Sequence, residues 1–212
     1  MDKLFRFTKI AAICCLVLTL IKGILGYTPH EWWNSKVTTF VYAATAVTEW
    51  VLIILFCSMI YNNSVAKSPL RIPSLLGVIS AIVGLVNSIF SRVLGIMQMF
   101  ELVDITEMYP IYIANEYIRY SVGIGLLISF IWMSKYMKSN LAKVFGISYV
   151  ILLSIEILFS RFGFSILLYA YDFDVNFDVI YNTHRIIIAT IVTLKTLVLS
   201  IFYYSFYKMF NK

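Results

Sequence analysis

Nine ionisable residues lie inside stretches that are otherwise apolar: Lys22, Glu49, Arg92, Glu116, Arg119, Glu156, Arg161, Arg185 and Lys195. A charge at the centre of a bilayer costs about 2.5–3.5 kcal/mol on insertion scales. Each such residue therefore needs a partner, a wet cavity or a task. Carboxylate and ammonium groups at one depth can pair or exchange a proton. A guanidinium recognises carboxylate and phosphate with a planar fork of donors. The sharpest case is Ser154-Ile155-Glu156-Ile157-Leu158-Phe159-Ser160-Arg161, an acid and a base inside an apolar run from Val144 to Tyr171. No soluble helix needs so much continuous apolar sequence, whereas a membrane-spanning one does.

Composition agrees. The chain has 212 residues, 61% hydrophobic and 13% charged, with a mean hydropathy of +0.87. Globular chains are typically about 45–50% apolar and about 25% charged. There is room for about six spans and little else, so residues 1–212 are expected to form a single integral membrane domain. Cys14, Cys15 and Cys57 give no disulfide framework and read as small buried hydrophobes. The net charge of +6 is spread along the chain, which fits membrane topology and not nucleic-acid binding.

The elements that must position the charges follow from the apolar runs. Spans are expected at about 10–27, 37–61, 74–100, 111–133, 144–169 and 179–207. The first is read as an uncleaved span and not a signal peptide, because no small-residue cleavage site follows it. The fold class is all-α, a polytopic bundle of six transmembrane helices. The loops sort by charge. Lys3, Arg6, Lys9, Lys67, Arg71, Lys135, Lys138, Lys143, Lys208 and Lys212 fall on one side, with Asp2 as the one acid. Glu31, Glu101, Asp104, Glu107, Asp172, Asp174 and Asp178 fall on the other, with Lys36 as the one base. This positive-inside pattern places both termini in the cytoplasm, and a bacterial cytoplasmic membrane is the expected location. A spacing of 70 and 69 residues separates Lys22, Arg92 and Arg161, and likewise Tyr42, Tyr112 and Tyr181. Three tandem helical hairpins would fill the chain on that period.

Depth then groups the buried charges. Spans five and six run antiparallel about a tip near Asp174–Asn176, and reflection about it brings Glu156 level with Lys195 near mid-bilayer. Glu49 is also near the middle of its span, on a stripe with Thr38, Tyr42, Thr45 and Leu52, and competes for Lys195. Glu156, Lys195 and Glu49 are the candidate midplane charge pair or switch. Arg161 lies five residues beyond Glu156, about 140° around an ideal helix, and should not be its partner. Arg92, Arg119, Arg161 and Arg185, joined by Lys22, are shallower. They are the candidate anion-binding set, lining an outward-open basic pocket. The plainer reading is that each arginine snorkels to headgroups or pairs with a nearby acid, such as Glu116 with Arg119 on one helix face. Span three adds a polar stripe at Ser80, Asn87, Ser91 and Gln98, and small residues Gly77, Ala81, Gly84 and Ser88 suited to close packing.

No His/Cys spacing suits a metal, and no nucleophile elbow, phosphate loop or dinucleotide fingerprint occurs, so neither catalytic residues nor a cofactor are assigned. The leading expectation is a small transporter or lipid-handling protein for an anionic solute or headgroup. The alternative is a sensory or accessory subunit of a membrane complex, with partner subunits and structural ion pairs. A membrane-embedded enzyme using His30, Glu31 and His184 comes third.

Overall fold

The computed structural model describes residues 2–27, 36–64, 68–99, 105–137, 139–170 and 177–210. They form six long helices: α1 (Asp2–Tyr27), α2 (Lys36–Asn63), α3 (Arg71–Met99), α4 (Ile105–Tyr136), α5 (Asn140–Ala170) and α6 (Phe177–Phe210). All six are long and apolar enough to cross a membrane. The protein is a multi-pass, all-α membrane protein, with a lipid bilayer as its surroundings.

The helices run beyond the apolar windows at both ends. The basic lead Lys3–Lys9 is the first part of α1, not a separate segment. Helix α3 begins at Arg71 and carries Pro73 in its first turn, where no intrahelical N–H bond is required. Helix α4 begins before Pro110, so the connection expected to end at that proline is shorter. Ser139 caps α5 by accepting the Ala142 N–H at 3.3 Å.

The helices close into a ring. Each packs against its sequence neighbours, and α1 closes on α6 through the most extensive of the six seams. Next come α5/α6, α2/α3 and α3/α4, while α4/α5 and especially α1/α2 are slighter. The three sequence hairpins are thus unequally packed, and the first is the loosest. Close seams use small residues, as expected where lipid removes the hydrophobic drive for helix association. A Cβ at Gly26 would lie 2.6 Å from the Cβ of Ala189, across α1/α6. One at Gly77 would lie 2.8 Å from Cys57 Sγ and 2.7 Å from Ser129 Oγ. The outer surface is apolar, with Ile24, Val86, Leu158 and Tyr169 among the most exposed side chains.

The ring interior has two layers. The half toward the basic end, where Lys3, Arg6, Lys9, Arg71, Lys135 and Lys143 lie, is filled by an aromatic core. Phe56 meets Phe202, Tyr203 and Phe206 edge-on, with centroids 5.2, 5.2 and 5.1 Å away. Phe130 lies 5.7 Å from Tyr149 and 5.6 Å from Phe202. Such tilted and T-shaped contacts are the preferred geometry for ring quadrupoles. The half toward the opposite end is polar and holds a cavity.

Candidate functional site

The cavity has a volume of about 280 Å³ and is lined by all six helices. Each helix contributes polar or charged groups because its apolar sequence is interrupted at the matching depth. Helix α1 supplies Lys22, α2 supplies Tyr42, Thr45 and Glu49, and α3 supplies Asn87, Ser91 and Arg92. Helix α4 supplies Asn115, Glu116 and Arg119, α5 supplies Glu156, and α6 supplies Lys195. The stripes on spans two and three therefore face inward. Of the stripe residues, Thr38 and Gln98 have side chains outside the described set.

A chain of alternating charge crosses the cavity floor. Lys22 donates to Glu49 Oε2 and, at 3.0 Å, to Thr196 Oγ1. Lys195 Nζ sits 3.1 Å from Glu49 Oε1 and 2.7 Å from Glu156 Oε2. Arg119 Nη2 lies 3.3 Å from Glu156 Oε1. The order is Lys22, Glu49, Lys195, Glu156, Arg119, a base at each end and acids between. Tyr149, at the top of the aromatic core, donates to Glu49 Oε1 at 3.4 Å. The ionic floor thus rests directly on the aromatic core. Above it Glu116 and Arg161 pair at 3.5 Å. Side-chain exposure rises along this path, from 3% at Lys22 through 13% at Glu156 and 39% at Arg119 to 51% at Arg161.

Three placements differ from the sequence-based expectation. Lys22 belongs to the floor and not to the outer basic layer, since its long stem carries the ammonium down to Glu49. Arg119 and Glu116 do not pair with each other. Each reaches across to α5, where Glu156 and Arg161 offer the opposite charge. The cavity lining includes Arg92 and Arg119 but neither Arg161 nor Arg185. Helix geometry explains this. Arg161, about 140° around from Glu156, turns to Glu116 instead, and Arg185 stands ten residues, about 15 Å, beyond Lys195 along α6.

Arg92 is the distinctive cation. Its guanidinium lies over the Tyr42 ring, 5.8 Å from the centroid. Among the described residues no carboxylate stands within salt-bridge distance of it. Around it Asn115 Nδ2 donates to Ser91 Oγ at 2.6 Å, and Asn87 Nδ2 donates to the Asn115 carbonyl at 3.4 Å. Asn115 Oδ1 is buried without a hydrogen-bond partner among the described residues.

Asn115, Tyr149 and Thr196 were not singled out from the sequence. Asn115 carried a signal, since it stands four residues before Arg119 on the same face. Tyr149 carried none, as an aromatic in an apolar span reads as core. His184 stacks on Phe159 at 5.4 Å, with Nε2 3.3 Å from the Phe159 carbonyl. His30 and Glu31 lie outside the described residues. No group of His, Cys, Asp and Glu suited to a metal occurs among the described residues. Compared with known proteins, the chain matches no family model, no curated protein and no solved structure.

Proposed function

We propose that the protein is a small membrane transporter or lipid-handling protein that admits an anionic group to its central cavity. The observation that carries this reading is Arg92, a cavity-lining guanidinium that faces an aromatic ring instead of a carboxylate. The rest of the lining is nearly neutralised by its own pairs. Arg92, with Arg119 below it, offers forked donors to a carboxylate or phosphate. Asn87, Ser91 and Asn115 add polar contacts that orient it. Arg185 lies farther out, as does Arg161, which is paired with Glu116. Glu156, Lys195 and Glu49 form the switch beneath. The basic end faces the cytoplasm, so the cavity opens outward.

A cysteine at Ser91 in a background lacking Cys14, Cys15 and Cys57 tests the reading. It should react with a membrane-impermeant methanethiosulfonate from the outer side. Inorganic phosphate or a short-chain anionic phospholipid should slow that reaction, and Arg92→Ala should abolish the protection. Protection by phosphate alone identifies a soluble anion, and protection by the phospholipid alone a headgroup. An unreactive cysteine, or reaction untouched by either anion, sinks the proposal. One observation favours the accessory-subunit reading instead: every charge of the floor already has a partner. That reading requires a co-purifying protein that is lost on reversing Glu49 or Lys195.

A further inference from the structure

The six seams of the ring are held largely by two kinds of contact, and the kinds are unevenly shared among them. Helices α2, α3 and α4 pack tightly in series, and so do α5, α6 and α1. Within the first triplet, Ser129 donates to the Pro73 carbonyl at 2.7 Å and Asn115 to Ser91 at 2.6 Å. Within the second, Ser200 donates to the Ala12 carbonyl at 2.7 Å, and Tyr27 and Thr190 share a bond of 2.9 Å. The glycine approaches fall the same way. Gly77 and Gly84 meet α2, Gly125 meets α3, and Gly26 meets α6, each inside its own triplet. Of the tight approaches, those under 3.0 Å between helices, only Gly123 crosses between triplets, and it meets the flexible tip of Ile157.

The two seams between triplets are α1/α2 and α4/α5, the slightest of the ring. Ion pairs span both. Lys22–Glu49 joins α1 to α2, while Arg119–Glu156 and Arg161–Glu116 join α4 to α5. Lys195–Glu49 joins the triplets across the interior. Of the five ion pairs among the described residues, only Lys195–Glu156 lies inside one triplet. The basic-end closure also crosses the boundary, since Phe56 and Phe130 come from one triplet and Tyr149, Phe202, Tyr203 and Phe206 from the other.

We infer that the protein is two three-helix bodies, α2–α3–α4 and α5–α6–α1, latched by exchangeable ion pairs that a bound anion releases. This rests on the anion-transport reading above and adds its regulation. Interlocked backbones and neutral hydrogen bonds, those of Ser129 and Ser200 buried, must break to move, so each triplet shifts as a unit. A carboxylate in an ion pair can be replaced by any anion that reaches the same cation. An anion entering beside Arg92 meets Arg119 next and competes there with Glu156. Glu156 then keeps Lys195, its partner within the same body, and the α4/α5 seam loses its deeper bridge. Rigid-body rocking of two bundles about a central site is a general route to alternating access. The anion shifts the equilibrium only by binding the released arrangement better than the latched one.

Spin labels on lipid-facing positions of the full chain, in nanodiscs, test this by electron–electron distance measurement. Phe40 with Tyr109 reports on the first triplet, Ile24 with Phe162 on the second, and Phe90 with Ile186 across the boundary; all six are exposed. Glu156→Gln should shift or broaden the Phe90–Ile186 distance by more than about 2 Å, the scale of packed-helix adjustments. The other two distances should stay unchanged. Glu116→Gln, a milder change at a half-exposed pair, should act in the same direction and serves if Glu156→Gln fails to fold. Equal movement within a triplet, or an unmoved cross-boundary distance in the folded variants, overturns the two-body inference. Inorganic phosphate and vesicles containing phosphatidylglycerol should reproduce the Glu156→Gln shift in the unsubstituted latch. If the variants move the boundary and neither anion does, the two bodies stand, and the anion release and the transport reading fall.

Discussion

The two halves of the ring interior solve one problem in opposite ways. The basic-end half closes the bundle with rings that contact edge-on and carry almost no charge. The opposite half closes it with five ionised side chains in alternating sign, and leaves space. Packed rings gain from contact alone and lose about a quarter to a half of that gain at a gap of about 0.5–1 Å. A buried pair is held by the penalty for stranding its members, and can exchange partners. The rigid half keeps the helices in register, and the ionic half, whose pairs can exchange, is where the proposed anion would intervene.

The comparison can be broken most forcefully at Glu49. Glu49→Leu strands Lys22 and leaves Lys195 with Glu156 alone, and removing one member of a buried pair costs about 3–5 kcal/mol. Unfolding in graded detergent denaturant should show a loss of that order, and a loss under about 1 kcal/mol would mean that the floor is wetter than the 7% exposure of the Glu49 side chain indicates. Phe56→Ala comes next. It leaves a void among three rings and should cost about 3 kcal/mol in the same measurement. The cysteine reactivity at Ser91 should stay as it was, since the cavity does not rest on that ring alone. A reactivity change of tenfold or more would show that the halves are not separable. The smallest effect should come at the rim. A double-mutant cycle on Arg161 and Glu116 should give a coupling below about 1 kcal/mol, fading with added salt. The same cycle on Lys22 and Glu49 should give a larger coupling that salt does not alter.

Much of this was legible in the sequence. Hydropathy marks the six helices, because length and apolarity are what a bilayer demands. Antiparallel reflection sets Glu156 level with Lys195, since helical rise converts residue number to depth. The azimuth was harder to read. Depth alone put Arg161 and Arg185 with Arg92, but Arg161 turns to Glu116, and Arg185 stands about 15 Å beyond Lys195 along α6. Lys22 misled because a flexible four-carbon stem separates its Cα from its charge. The pairing of α1 with α6 had no local signal at all. It joins residues such as Ala12 and Ser200, and nothing near either names the other.

The division of carboxylates among the helices also bears on how the chain enters a membrane. Synthesis delivers α1 and α2 before the four helices that follow, and Lys22 and Glu49 can neutralise each other within that hairpin. The last hairpin, α5 with α6, likewise carries Glu156 and Lys195 as its own couple. The first hairpin can therefore leave the insertion machinery as a nearly uncharged unit, spared much of the penalty of about 2.5–3.5 kcal/mol for each lone charge, while the last still carries Arg161 and Arg185 toward its outer end. The middle hairpin has no such provision for Arg92. The base that the proposed site offers to an anion is thus one that α3 must carry into the membrane uncancelled.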